Sequence, residues 1–121
     1  MTTIQARLEE LPGGTVIPKP EAKGDFIIKG WGMRRGERAL IYTIPNHKNS
    51  SKPHQKGITR SEWERAFERL QGTGEFTHLW FNTALPACAK EGSCNFTTIG
   101  GVFQLLGLAA YKRRGIYSKA H

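Results

Sequence analysis

The residues best suited to acid–base or metal chemistry are four histidines and two cysteines. His47 and His54 share the polar stretch NHKNSSKPHQKG, residues 46–57. A histidine pair can move protons in nuclease-type hydrolysis. Such sites usually add carboxylates that hold a metal, and the nearest is Glu62. The pair is therefore read as solvated loop histidines. Cys88 and Cys94 stand in PACAKEGSC with C-x5-C spacing, wider than the tight pairs of structural zinc sites. They are expected as free thiols, without metal and without cofactor. His78 lies among aromatic residues in THLWF and is expected as a hydrogen-bonded packing residue. No nucleophile elbow, phosphate loop or paired-acid motif occurs, and Gly100-Gly101 is too short to cradle a phosphate. An enzyme using His47, His54, His78 or Cys88 is thus the last of three readings, and no catalytic residue is assigned.

Cations offer a different chemistry. The 121-residue chain carries a formal net charge of +8, unevenly distributed. Residues 1–24 are neutral overall, residues 25–60 hold +6, residues 61–92 hold −2 and residues 93–121 hold +4. If folding joins the two basic blocks, the resulting face attracts a phosphate polymer by counterion release. The candidate contacts are Arg34, Arg35, Arg38, Lys48, Lys52, Lys56, Lys112, Arg113 and Arg114, with Trp31 or Tyr117 available to stack on a base. DNA or RNA is therefore the expected partner, ahead of a second class, a small-ligand or protein-binding domain whose pocket would be lined by Trp31, Trp80, Phe81 and Tyr42. One contiguous surface made by residues 34–38, 48–56 and 112–114 would favour nucleic acid, and scattering of these residues would count against it.

These residues need positioning elements. Ile4, Leu8 and Leu11 recur at helical spacing, predicting a helix over about 3–11 that Thr2 or Thr3 caps and Pro12-Gly13-Gly14 stops. TVIPKPEAKG suits an edge strand or an extended loop. Over about 26–44, DFIIKGWGMRRGERALIYTIP predicts an antiparallel hairpin. Its turn is Arg34-Arg35-Gly36-Glu37, with Gly36 free to take positive φ, and Gly30 and Gly32 mark a bulge beside Trp31. Residues 46–57 read as a loop. Thr59 and Glu62 form a capping box and Ile58 with Trp63 a hydrophobic staple, which start a helix over 59–71. Residues 75–84 favour a helix, although THLWF also fits a short strand. Residues 86–95 read as a loop.

The C-terminal stretch FTTIGGVFQLLGLAAYKRRGIYSK has two readings. Its L-L-G-L fits the turn of a helix-turn-helix, with AAYKRRGIYSK as the reading helix. Phe103 stands where that motif wants a small residue, Gly115 would interrupt the second helix, and Arg113 falls at a buried position. The preferred reading is one mostly buried helix over about 98–112, with glycines where another element approaches closely. Together these elements predict one α+β domain over residues 1–121, its hairpin or sheet packed on three or four helices (about 3–11, 59–71, 75–84 and 98–112). A winged-helix-like C-terminal half with a short strand at 115–118 is the alternative. No apolar run reaches the ~18 residues of a membrane span, and MTTIQARLEELPGG lacks the apolar core of a secretory signal. No membrane partner and a cytoplasmic location are therefore expected, with the oligomeric state left open.

Overall fold

The computed structural model describes residues 3–20, 24–46, 48–49 and 51–120. Helix α1 (Ile4–Glu9) starts where Thr3 Oγ1 accepts from the Ala6 N–H. Strand β1 (Val16–Ile17) is the short edge strand that TVIP allowed. It pairs with β2 (Phe26–Arg34), which pairs with β3 (Glu37–Ile44). Arg35 and Gly36 form the two-residue turn, at φ 49° and 78°. Both central residues at positive φ match the primed turns that suit strand twist. The ladder slips between Ile28 and Gly30, placing the expected bulge just ahead of Trp31.

The polar stretch 46–57 departs from expectation. His54–Thr59 forms β4, antiparallel to β3 and last in the sheet order β1-β2-β3-β4. A polar strand is stable there because an edge strand buries little: His54 and Gln55 are exposed, while Ile58 enters the core. Thr59 ends the strand and caps α2 (Arg60–Thr73). Both halves of the capping box are present, and Gly74, left-handed at φ 83°, closes the helix.

The next segment divides. Residues 75–84 are not one helix: Glu75–Thr77 is strand β5, and α3 (His78–Ala84) begins where the Thr77 hydroxyl accepts from the Trp80 N–H. Pairing of Phe76 with Tyr117 holds β5 extended and buries both rings. Residues 86–95 also contain a helix, α4 (Pro86–Glu91), with Pro86 in its first turn, where its missing N–H costs nothing.

Helix α5 (Cys94–Leu105) starts and ends earlier than the 98–112 predicted. Gly107 stands at φ 75°, its N–H bonded to the Gln104 carbonyl, while the Leu108 N–H bonds to Phe103. This is a Schellman stop, so the L-L-G-L pattern ends a helix rather than joining two. The chain continues as β6 (Ala109–Arg113) and β7 (Ile116–Lys119), a second hairpin turning at Arg114-Gly115. A strand at 109–113 excludes the helix-turn-helix reading. The strand anticipated by the winged-helix alternative is present, but another strand precedes it where that alternative runs a helix to about 112. The second sheet has the order β5-β7-β6.

The result is an α+β fold in which α2 and α5 each pack against strands of both sheets. Most of α5 is buried, from Phe96 through Phe103 with only Thr97 partly open. Its glycines serve close approach: a Cβ on Gly100 would overlap the Tyr117 ring, and one on Gly101 would overlap the Pro18 carbonyl.

Candidate functional site

The nine predicted phosphate contacts occupy four different situations. Arg35, at the first hairpin tip, turns inward. Its Nε and Nη2 donate to Glu62 at 2.9 and 2.7 Å, and Nη2 also donates to the Gly57 carbonyl at 2.7 Å. Its Nη1 lies 3.5 Å from Glu91 Oε1. Burial pushes the Glu62 carboxyl up, but the Arg35 hydrogen bonds, the Thr59 N–H and the Arg35 charge together outweigh it and hold the group below its ordinary range. The Arg35 guanidinium, lowered by burial and raised further by Glu62, is correspondingly held above its usual value.

Arg34 and Lys56 join the same network. Arg34 Nε is 3.5 Å from Glu91 Oε2, and Lys56 Nζ donates to the Glu91 carbonyl at 2.9 Å. Glu91 Oε1 also accepts from the Gly57 N–H and from Asn95 Nδ2. Gly57 on edge strand β4 therefore has its N–H held by one side chain and its carbonyl by another. Asn95 Oδ1 in turn accepts from the Tyr42 hydroxyl at 2.6 Å. These cations close the edge of the first sheet onto α4 and the start of α5.

Arg38 and Lys112 have looser partners. The Arg38 guanidinium lies 4.8 Å from the Trp31 ring and 3.8 Å from Glu9, and Lys112 Nζ donates to Glu75 at 3.0 Å. Lys48 and Lys52 are exposed in the β3–β4 connection. That connection leaves the far end of β3 from the 34–37 turn, about 25 Å away at the strand rise per residue. The first basic block is thus split between two ends of one sheet. Arg113 and Arg114 stand exposed at the tip of the second hairpin, with no ion pair among the described residues.

The other predicted chemistry disperses. His54 is exposed on β4, and His47 lies outside the described residues. Among the described residues no three His, Cys, Asp or Glu side chains converge. Cys88 and Cys94 are free thiols, and burial pushes the Cys88 thiol far above its ordinary range, which keeps it protonated. Tyr42 and Phe81 are core residues. Trp31 lies under Arg38 and Trp80 against Phe76, so the four rings expected to line a pocket do not meet in one.

A different set of rings does line a cleft. It opens between the β6–β7 hairpin, the start of β2 and the start of α5, with room for about 390 Å³. Its floor is aromatic. The Phe96 ring stacks on His78 at 4.7 Å, Tyr117 meets Phe96 edge-on at 5.6 Å, and Tyr111 meets Tyr117 at 5.6 Å. The His78 N–H donates to the Gly115 carbonyl at 2.9 Å, which ties the hairpin tip to α3. Burial, with a smaller contribution from Tyr111, pushes the Tyr117 phenol up to about 12, so it remains a neutral hydroxyl.

Cations mark the rim. Arg114 lines the cleft from the hairpin side. Lys19 lines it from the connector after β1, its ammonium 4.2 Å from the Phe26 centroid and donating to the Gly24 carbonyl. The hydroxyls of Ser93 and Thr97 add polar groups, and no carboxylate occurs among the described lining residues. Of the residues predicted to contact nucleic acid, only Arg114 and Tyr117 line this cleft; His78, weighed as a catalytic group, lines it as well. Lys19, Phe26, His78, Phe96 and Tyr111 come from five separate segments, and no motif in the sequence connects them.

No protein-family model matches the chain, and the comparisons with curated proteins and with solved structures found no match. Among the described residues, no helix is long and apolar enough to cross a membrane.

Proposed function

We propose that this protein binds nucleic acid through the β6–β7 hairpin tip and the cleft beside it. One observation carries the reading: an aromatic-floored cleft has Arg114 and Lys19 on its rim, and the exposed Arg113 continues the same tip. Phosphate contacts supply most of the non-specific affinity for a polyanion, and ring faces add affinity for bases. Arg34, Arg35 and Lys56 are engaged within the fold and contribute to the general positive field instead.

The test is fluorescence anisotropy with labelled single-stranded and duplex oligonucleotides between about 50 and 200 mM salt. Micromolar or tighter binding that weakens steeply with salt is expected. A double substitution, Arg113→Ala with Arg114→Ala, should lower the slope of log K against log salt by about 1.4 for a single strand, at about 0.7 for each phosphate that is no longer neutralised. Lys48→Ala with Lys52→Ala should lower it less. No binding above background at ~50 mM salt would refute the proposal, and a larger effect from the loop pair than from the hairpin pair would move the site to the first sheet.

A further inference from the structure

We infer that the cleft seats one unpaired nucleobase, with Arg114 and Lys19 taking the phosphates on either side, so that the protein selects single strands over duplex. The inference rests on the nucleic-acid reading and specifies its substrate. The cleft volume, about 390 Å³, lies above the ~300 Å³ at which small-ligand pockets begin. Phe96, stacked on both Phe76 and His78, and Tyr117, edge-on to it, are almost wholly buried and fix the position of Tyr111 before anything binds; the ring surface left for a base is that of Tyr111. Tyr111 is the open wall. It projects from the outer strand of the second sheet, 38% exposed, and keeps ring surface free for stacking.

Charge selects the rest of the ligand. Lys19 and Arg114 both line the cleft, one from the connector after β1 and one from the hairpin turn. Lys19 already meets the Gly24 carbonyl and the Phe26 ring, while Arg114 has no ion pair among the described residues; a nucleotide within a strand carries a phosphate on each side of its base and can offer one to each cation. The imidazole of His78, stacked on Phe96, adds a polar group at the floor. A duplex offers its bases only as groove edges, and a base must be unstacked and unpaired to enter a cleft of this kind. Single strands need neither step, and each base–aromatic stack is sequence-tolerant because every base has a π face.

The experiment compares three ligands on the unaltered protein: a 12-nucleotide mixed-sequence single strand, the duplex of the same sequence, and a single strand of equal length made of abasic sites. The natural strand should bind about 10-fold more tightly than either of the others, the size expected for one good stack. Tyr111→Ala should remove most of that advantage while leaving affinity for the abasic strand unchanged. Equal affinity for natural and abasic strands, or duplex binding as tight as single-strand binding, overturns the inference while leaving nucleic-acid binding intact. Failure of all three ligands to bind overturns the underlying reading as well. If Tyr111→Ala does not fold, the abasic comparison decides by itself.

Discussion

Replacing Arg35 by alanine separates a structural cation from a binding one. Its side chain is 22% exposed and that of Glu62 is 11% exposed, which places the pair between surface and interior. Exposed pairs contribute about 0–1 kcal/mol, and breaking a buried pair costs about 3–5 kcal/mol because a charge is left uncompensated. Glu62 keeps the Thr59 N–H after the substitution, so the loss falls in between, at about 2–3 kcal/mol. The backbone adds an internal control. Arg35 sits at φ 49°, a conformation that glycine adopts freely and alanine does not. Arg35→Gly also abolishes the pair, yet it should be more stable than Arg35→Ala by about 1 kcal/mol. Urea denaturation at neutral pH measures both. The pH dependence follows from the lowered Glu62 carboxyl. Its contribution is present above the unfolded carboxylate value, about 4.3, and disappears as pH falls through the lower folded value. The gap between wild type and Arg35→Ala should therefore narrow in acid. Stability of Arg35→Ala within about 0.5 kcal/mol of wild type, the range of an ordinary surface substitution, or a gap that widens on acidification, would refute the network as a stabilising unit.

Three further substitutions concern the core. Gly100→Ala gains about 1 kcal/mol of helix propensity but drives a methyl into the buried Tyr117 ring, an overpacking worth about 1–3 kcal/mol. Gly101→Ala meets the Pro18 backbone carbonyl, which cannot rotate aside, so urea denaturation should find it the more destabilised of the two; a neutral or stabilising Gly101→Ala would contradict the close approach. Tyr42→Phe leaves the buried Asn95 Oδ1 without its 2.6 Å donor and should cost about 1–3 kcal/mol, with unchanged stability by the same assay as the contrary result.

Features governed by neighbouring residues were legible in the chain. The α2 start was, because a capping box needs only Thr59, Glu62 and the backbone between them. The first hairpin was, because its turn, its bulge and its two apolar runs lie within residues 26–44. Expectation and structure part where a distant partner sets the outcome. β4 is too polar to read as a strand alone, and exists because β3 offers a free edge and Arg35 and Glu91 hold the outer side of Gly57. Glu75–Thr77 has helical spacing but is drawn into a sheet by β7, far along the chain at Ile116–Lys119. The glycine at 107 was visible; its role as a stop depended on the positive φ with which the Gly107 and Leu108 N–H groups bond back to Gln104 and Phe103.

The sequence by itself determined the charge, its two basic blocks, the caps and turns, and the need for a close neighbour at Gly100-Gly101. Tertiary structure alone decided which cations are free and which rings face a cleft. Arg35 and Arg114 are the same residue type, each beside a glycine in a hairpin turn. One meets Glu62, 27 positions away, and closes a sheet edge, while the other meets no carboxylate among the described residues and stands at the mouth of a cleft. The difference is physical: an ion pair depends on distances of a few ångströms between groups far apart in the chain, and local patterning carries no information about those distances.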